Sequence, residues 1–354
     1  MSKKSLNQFQ RIVRGQWRSL AVAFISTLLL VTLGLTHATT AQTASFTIGL
    51  WGDMPYARNN DGPKMEALVR DMNAANLAFS VYDGDIKDGS SLCTDNMFTS
   101  AIAMFNLSTS PVVYVPGDNE WTDCHRTNNG GYDNLERLDH LRRVMFPRST
   151  SFGQRTIPLE HQGRVGTKYV ENTRWTQGGV VFVGLNVPGS NNNLVHDDAE
   201  CTNRSARTPA QCAAGNAEYA ERDAKNIEWM SQSFQLAKTR RAPGIMIVIQ
   251  ADPGFDLPET EDIDERTLPR SDGYTAFLNK LVEETRAFPG QVVLVHGDTH
   301  FFKIDKPLIK QSEMIPNFTR LETFGSPNIH WVSVTVNPSS RDVFTFQPRL
   351  VAGN

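Results

Sequence analysis

The sequence predicts an α/β layered fold with buried, largely parallel strands and a second β-sheet packed against the first. Two observations lead to this prediction. Apolar runs rich in β-branched residues alternate with segments of 3.6-residue periodicity, which favours buried, largely parallel strands joined by helices. After residue 300 the helical patterns stop while strand patterns continue, which favours a second sheet packed against the first.

Six apolar runs bounded by Gly, Pro or Asp are typical of buried strands. They span residues 46–53, 79–85, 111–118, 179–187, 244–252 and 291–298. The segments with helical periodicity are 62–77, 98–108, 134–146, 217–240 and 272–288. Four later runs, 301–308, 317–325, 330–338 and 341–350, predict consecutive antiparallel strands.

The first 41 residues have the composition of a secretory signal. Five basic side chains precede an apolar run of 16 residues, Leu20 to Leu35, and small residues follow it up to Ala41. This run is short for a membrane span. We expect cleavage after Ala41, export to the periplasm or the extracellular space without stable membrane insertion, and a single domain over residues 42–354. An uncleaved N-terminal anchor is the alternative.

Charge excludes one class of partner. Residues 42–354 carry 30 basic and 38 acidic side chains, a net charge of −8. Nucleic-acid binding surfaces show a basic stripe or patch, and no such stripe is evident in the sequence. We therefore expect no nucleic-acid partner.

The cysteine count suits an oxidising compartment. Four cysteines, an even number, follow the leader, which favours disulfides. Cys201 and Cys212 bracket a polar loop and are expected to close it, while Cys93 and Cys124 are expected to tie two loops together. Four free thiols or a structural zinc site are the alternatives, although the spacings fit no common zinc pattern.

Five of the predicted strands end in an aspartate, and four of these aspartates follow a glycine: Asp53, Asp85, Asp118, Asp252 and Asp298. Ligand sites in open α/β sheets lie at the carboxyl ends of the strands. Carboxylates gathered there repel one another, and a cation removes that cost. A single Gly-Asp pair is more often a turn, but five aspartates at equivalent strand ends, one followed by His300, predict a metal or polyanion site.

The ordered motifs GD (52–53), GDIKD (84–88), GDNE (117–120), QADP (250–253) and GDTH (297–300) resemble those of the calcineurin-like metallophosphoesterase family. The resemblance covers nearly the whole chain after the leader. It implies a four-layer αββα fold, which is a two-sheet sandwich flanked by helices. It also implies two divalent ions at the strand ends and hydrolysis of a small phosphorylated substrate. The ligands that it implies for the first ion are Asp53, Asp85 and His300. For the second ion they are Asp85 as a bridge, Asp118, Asp298 and either Gln250 or Asp252.

The chain also departs from the motifs of that family. Pro55 stands where the first motif has a histidine, Asp118 replaces an asparagine, Asn119 replaces a histidine, and Asp298 replaces another histidine. Oxygen ligands have thus replaced imidazole almost throughout. An oxygen-rich set favours Mg²⁺, Mn²⁺ or Ca²⁺ over zinc or iron.

The resemblance further implies attack on phosphorus by a metal-bound hydroxide. Asn119 is expected to donate a hydrogen bond to phosphate. His125, in EWTDCHR, would supply a proton if its loop folds back, the alternative being an exposed loop histidine. Asp88 is expected either near the second metal or in a turn, and Glu120 is expected to orient its loop.

Three functions follow from these expectations. The leading one is an exported metal-dependent phosphoesterase. The second is a non-catalytic relative that binds a metal or a phosphorylated ligand, which the missing histidines favour. The third is a cell-surface interaction module in which the aspartates hold structural Ca²⁺.

Overall fold

Two mixed β-sheets form the centre of the fold in the computed structural model, which describes residues 44–255, 270–310 and 313–354. The first sheet has the strand order β14-β13-β1-β2-β3. Its members are β1 (Phe46–Trp51), β2 (Phe79–Tyr82), β3 (Val112–Tyr114), β13 (Trp331–Val336) and β14 (Phe344–Arg349). Strands β1, β2 and β3 are parallel, and β13 lies antiparallel to both β1 and β14. The expected signal peptide lies outside the described residues.

The second sheet has seven strands in the order β4-β5-β6-β7-β8-β12-β9. They are β4 (Glu160–His161), β5 (Thr173–Gln177), β6 (Val180–Gly184), β7 (Gly244–Val248), β8 (Gln291–His296), β9 (Lys303–Asp305) and β12 (Phe318–Glu322). Strands β6, β7, β8 and β12 are parallel, while β4, β5 and β9 pair antiparallel with their neighbours. A separate hairpin joins β10 (Leu308–Lys310) to β11 (Glu313–Met314).

The helices of five or more residues in the described ranges are α1 (Gly62–Ala74), α2 (Asp95–Phe105), α3 (Asn134–Met145), α4 (Asp198–Thr202), α5 (Pro209–Arg240) and α6 (Thr275–Arg286). Successive side chains of a strand point to opposite faces, and the packing follows this alternation. Trp51 and Tyr82 pack with residues of α1, α2 and α3, whereas their neighbours Leu50 and Val81 pack with Phe182 of the other sheet. Helices α5 and α6 cover the far side of the second sheet. The predicted α/β fold with two sheets flanked by helices is confirmed.

The late strands differ from the prediction of one antiparallel set. Strands β13 and β14 extend the first sheet, whereas β12 joins the second sheet parallel to β8. Four of the five residues of β12 are buried, which suits a central position in a parallel sheet. Helix α5 also begins at Pro209, earlier than the apolar period indicates, because Thr208 and Gln211 form a capping box.

Both cysteine pairs are disulfides. Cys93 and Cys124, with Cα atoms 5.6 Å apart, join the loop after β2 to the 3₁₀ turn Thr122–His125 after β3. Cys201 and Cys212, with Cα atoms 6.0 Å apart, join α4 to α5. Within the described ranges, no helix combines the length and the apolar character that crossing a bilayer requires.

The two disulfides are expected to stabilise the fold unequally. Replacing Cys93 and Cys124 with serine should lower the free energy of unfolding by about 4 kcal/mol, and replacing Cys201 and Cys212 by about 3 kcal/mol. The difference arises because the first bridge closes a separation of 31 residues and the second only 11. Urea unfolding of the two double variants measures both values, and a larger loss at Cys201–Cys212 would contradict the loop-entropy argument.

Candidate metal centre

Four of the predicted aspartates come together where strands of the two sheets end: Asp53, Asp85, Asp118 and Asp298, called here the central carboxylate cluster. The backbone N–H of Asp298 donates to Asp53 Oδ2 over 3.2 Å. A Cβ atom at Gly189 would lie 2.7 Å from both Asp118 Oδ2 and Asp298 Oδ1. The backbone N–H of Asn119, next to Asp118, donates to Asp85 Oδ1 over 3.1 Å. The cluster therefore draws on β1, β2, β3 and β8.

The backbone at this cluster is strained. Asp53, Asp85, Asp298 and His300 have φ values of 52°, 62°, 76° and 63°, in the left-handed region that residues with a Cβ rarely adopt. Such conformations cost of order 1–3 kcal/mol each and gather at functional sites. Glycine is also required beside them, because a Cβ at Gly117 would collide with the Asp85 carboxylate and one at Gly297 with that of Asp53.

Burial and mutual repulsion disfavour the ionised forms of these carboxyl groups. Burial, reinforced by Asp118 and Asp53, raises the pKa of both Asp85 and Asp298 well above the usual range. Burial also raises the pKa of Asp53, although His300 opposes this. His300 Nε2 lies 3.4 Å from Asp53 Oδ1, and across the described ranges no other basic side chain forms an ion pair with the cluster. The cluster is short of positive charge, and a cation would relieve it.

The Tyr56 hydroxyl lies among the residues predicted to hold the first ion. Tyr56 Oη lies 3.1 Å from Asp85 Oδ2 and 3.2 Å from His300 Nε2. Asn119 Nδ2 donates to the same Asp85 oxygen, and His300 Nδ1 is 2.8 Å from the carbonyl oxygen of Ser326. An ion bound by Asp85 Oδ2 and His300 Nε2 would have to displace the Tyr56 hydroxyl from both.

The second ion position fits one hard cation. Asp85, Asp118 and Asp298 offer carboxylate oxygens only, and Gly189 leaves open the space that a Cβ would fill between two of them. Gln250 supports this group, since its Nε2 donates to Asp298 Oδ1 over 3.2 Å and its Oε1 accepts from Gly189 N over 2.6 Å. An all-oxygen set suits Mg²⁺, Mn²⁺ or Ca²⁺.

Asp252 is not part of the central carboxylate cluster. Its carboxylate lies with His296 and Glu322, and only its backbone N–H reaches the cluster, at 3.3 Å from Asp298 Oδ2. Of the two residues that sequence left open in QADP, Gln250 is the one whose side chain faces the cluster.

Two predicted supporting residues hold backbone in place. Glu120 Oε1 accepts hydrogen bonds from Asp85 N, Gly117 N and Tyr114 Oη at 3.1, 2.8 and 2.7 Å, so it joins the ends of β2 and β3. Asp88 lies in a turn, where its carboxylate accepts from Ser90 and Ser91. Burial opposes ionisation there, but these hydrogen bonds hold the pKa of Asp88 at about 2.

The two residues predicted to take part in catalysis occupy different settings. Asn119 directs its amide to Asp85. His125 lines a cleft beside the cluster, and burial together with Arg207 and Arg126 lowers its pKa to about 3. The imidazole is therefore neutral near pH 7 and carries no acidic proton beyond its ring N–H.

The cleft has a volume of about 970 Å³ and opens onto the cluster through Asp298 and Ser190. Arginines are the strong cations of its lining: Arg126, Arg204, Arg207 and Arg270. Arg126 forms an ion pair with Asp123 at 2.6 Å and donates to Ser190 Oγ at 3.1 Å. Four acidic side chains share this lining: Asp123, Glu200, Asp252 and Asp298. Arg270 Nε lies 3.5 Å from Glu200 Oε1. Guanidinium groups match the oxygens of phosphate, so the arginines are the groups of the lining that could bind an anionic ligand.

Sequence reasoning missed three residues of the site: Tyr56, Asp123 and Ser190. Ser190 Oγ lies 2.8 Å from both Asp118 Oδ2 and Asp123 Oδ1. The Ser190 hydroxyl has a single proton and can donate it to only one of these two carboxylates. When Asp123 is protonated, Ser190, Asp118 and Asp123 can all take part in hydrogen bonds. Burial and Asp118 raise the pKa of Asp123 to about 7. The sequence signal that could have indicated Asp123 is the segment EWTDCHR, in which Asp123 lies two residues before His125.

No protein-family model matches the sequence, and no curated protein matches it. Among solved structures, GAP50, the anchor in the inner membrane complex of Plasmodium, is 10% identical over 88% of this chain and 90% of its own, with a TM-score of 0.40. Purple acid phosphatase PPD1 from yellow lupin (Lupinus luteus) seeds is 10% identical over 88% and 52%, with a TM-score of 0.48. The 5'-nucleotidase from Candida albicans SC5314 is 11% identical over 85% and 50%, with a TM-score of 0.36.

The chain spans about half the length of the last two of these proteins. Likenesses with TM-scores below 0.5 carry no argument about the chemistry of this chain. The case for its function therefore rests on its own residues.

Neutralising one cluster carboxylate should stabilise the metal-free protein. We expect Asp298→Asn to raise the melting temperature in chelator by about 2–4 °C, which corresponds to about 1 kcal/mol in a chain of this size, because one repelling charge is gone. The same change should abolish the stabilisation produced by Mg²⁺, Mn²⁺ or Ca²⁺. Asp88→Asn is the matched control and should lower the melting temperature, because that carboxylate is stabilised by hydrogen bonds. Equal losses in both variants would contradict the repulsion argument.

The metal-free protein should lose stability as pH rises from about 5 to about 8. Carboxyl groups with a raised pKa bind protons more tightly in the folded state, so their contribution is complete below the ordinary pKa of about 4 and disappears as pH rises through the folded pKa. That pKa is about 7 for Asp123 and is raised for Asp85 and Asp298. Melting temperatures in chelator measure the slope, which a saturating divalent ion should remove. A melting temperature that climbs with pH in chelator would contradict this origin.

Proposed function

We propose that the protein is an exported, metal-dependent phosphoric ester hydrolase that acts on a small phosphorylated molecule. One observation supports this function above the others. The central carboxylate cluster, which a cation would stabilise, adjoins a cleft whose lining carries four arginines among four acidic side chains. A phosphate group is an anion that both a divalent ion and guanidinium groups bind.

The ion would be held by Asp85, Asp118 and Asp298, with Mg²⁺, Mn²⁺ or Ca²⁺ favoured by the oxygen donors. When bound, a divalent ion polarises a phosphoryl oxygen and lowers the pKa of a water molecule. The residues of the chain do the positioning. Gln250 and the Gly189 turn fix Asp298, and Arg126, anchored by Asp123, presents its guanidinium to the cleft.

The leaving group receives little help from the residues first expected to provide it. Asn119 donates to Asp85, and His125 is neutral. We therefore expect esters with good leaving groups, such as aryl phosphates, to be cleaved faster than alkyl phosphates.

Export is supported by the composition of residues 1–41 and by the two disulfides. Stable disulfides form in oxidising compartments such as the periplasm and the extracellular space. Cys93–Cys124 also fastens the turn that carries Asp123 and His125, so the cleft depends on oxidation.

A second candidate function is binding of a cation or a phosphorylated ligand without turnover. It is favoured by Tyr56, whose hydroxyl contacts two of the predicted ligands of a first ion, Asp85 and His300. The two candidates differ in one measurable property, which is release of product in the presence of the ion.

Purified full-length protein, stripped with chelator, should hydrolyse p-nitrophenyl phosphate or its bis-ester when Mg²⁺, Mn²⁺ or Ca²⁺ is restored. Asp118→Asn should reduce kcat at least 100-fold, because an ion ligand is lost. Arg126→Ala should raise KM more than it lowers kcat, because it weakens binding of the phosphate. Colorimetric release of p-nitrophenol measures all three.

Asp139→Asn provides the matched control, since it makes the same chemical change on an exposed carboxylate of α3. It should leave turnover unchanged. Ion-dependent thermal stabilisation without product release from any ester would favour the binding function. Turnover that survives both chelation and Asp118→Asn would overturn the hydrolase proposal.

A further inference from the structure

A second group of ligand-type side chains lies at the ends of three adjacent strands of the second sheet. Asp252 follows β7, His296 ends β8 and Glu322 ends β12. One ligand atom from each lies within 4.8 Å of the others. His296 and Glu322 are Cα partners across the parallel pair β8–β12, so their side chains leave the sheet on the same face. We call these three residues the His296 site.

His296 is prepared as a ligand. Its Nδ1 lies 3.1 Å from the carbonyl oxygen of Gly297, so in the neutral ring Nδ1 carries the hydrogen and Nε2 presents a lone pair. This is how metal-binding histidines are oriented in proteins. The residue is fully buried, and no group in the described ranges makes a hydrogen bond to Nε2. A buried polar atom without a partner is costly, which points to an absent ligand.

Each carboxylate also keeps one oxygen for a cation. Glu322 Oε1 accepts from Phe301 N over 2.8 Å and from the Thr299 hydroxyl, while its buried Oε2 receives no hydrogen bond from the described part of the chain. Asp252 Oδ1 accepts from Gly254 N over 3.2 Å. The remaining oxygens face a cationic side chain, the Lys303 ammonium, at 3.0 Å from Glu322 Oε2 and 3.8 Å from Asp252 Oδ2.

Lys303 shows that the site attracts positive charge, but it does not satisfy the site. Its ammonium makes no hydrogen bond to His296 Nε2, since that atom is left without a partner. The lysine extends from the edge strand β9 and is partly exposed, so its flexible side chain can move into solvent at small cost. A metal ion can bind all three ligand atoms, whereas the ammonium neutralises only the carboxylates.

We propose that Asp252, His296 and Glu322 form a binding site for a divalent transition ion of the zinc class, which displaces the Lys303 ammonium. Zinc binds imidazole nitrogen and carboxylate oxygen, and three protein ligands would leave the fourth position of a tetrahedral site open. The nitrogen ligand separates this site from the central carboxylate cluster, whose open ligands are all oxygens and suit harder ions. The proposal does not depend on phosphoesterase activity.

The two sites are adjacent through Asp252. Its side chain belongs to the His296 site, while its backbone N–H donates to Asp298 Oδ2 in the central carboxylate cluster. An ion at the His296 site therefore fixes the segment that supports Asp298. Ion binding at the His296 site would therefore have an effect that can be measured at Asp298.

Cobalt(II) provides the test, because it takes zinc ligands and shows visible ligand-field absorption. Chelator-treated full-length protein is titrated with Co²⁺ without substrate, and bound Co²⁺ is then displaced with Zn²⁺. We expect visible bands from Co²⁺ at the His296 site, and these bands should persist in Asp118→Asn. The apparent affinity for Co²⁺, measured from these bands, should fall at least tenfold in Asp252→Asn and in Glu322→Gln. Because no substrate is present, a failure of hydrolysis has no effect on this result.

Lys303→Met provides the decisive variant, since it removes the competing ammonium while keeping a side chain of similar length. It should bind Co²⁺ and Zn²⁺ at least tenfold more tightly than the unaltered protein, and circular dichroism verifies that each variant is folded. The proposal is overturned if Lys303→Met binds no more tightly, which would make the lysine a permanent counter-ion. It is equally overturned if Asp118→Asn abolishes the bands while Asp252→Asn retains them, because the ion would then reside in the central carboxylate cluster.

Discussion

Repulsion among carboxylates at the meeting ends of the two sheets is the constraint on which the rest of the site depends. Asp53, Asp85 and Asp118 end three parallel strands of one sheet, and Asp298 ends a strand of the other. Their approach is possible because glycines stand where a Cβ would collide with a carboxylate and because Asp53, Asp85 and Asp298 accept a left-handed backbone. The packing of the two sheets beneath offsets the free-energy cost of these features and of the repulsion. A bound cation would lower that cost.

The supporting hydrogen bonds hold this arrangement before any ion binds. Glu120 fastens the ends of β2 and β3 through two backbone N–H groups and the Tyr114 hydroxyl. Gln250 fastens Asp298 to the Gly189 turn from the opposite sheet. Because these bonds run to backbone atoms and to an amide, they fix the positions of the carboxylates without neutralising them. The site is therefore rigid and short of positive charge, which is the condition for strong and selective cation binding.

Much of the fold and the outline of the site could be predicted from sequence, because strand-end Gly-Asp pairs and β-branched runs are local signals. The interior of the site could not, because it depends on contacts between distant residues. Tyr56 follows Pro55 with no periodicity to mark it, and its hydroxyl meets Asp85 and His300 only after folding. In an extended strand the side chains of Gln250 and Asp252 would lie on the same face. However, β7 ends at Val248. Beyond it, the backbone N–H groups of Gln250 and Ala251 both donate to the carbonyl oxygen of Val187. That turn sends Gln250 to the cluster and Asp252 elsewhere. The His296 site requires the parallel register of β8 with β12, which runs against the antiparallel order that sequence favoured.

The distribution of imidazoles explains how two neighbouring sites can select different ions. In the central carboxylate cluster, His300 is held by the Ser326 carbonyl on one side and by Tyr56 and Asp53 on the other, so its nitrogens are occupied and oxygen ligands remain. At the His296 site the opposite holds, because Nε2 is the atom left open. Hard ions prefer the first set and zinc-class ions the second. The backbone N–H of Asp252 connects the two sites through its hydrogen bond to Asp298.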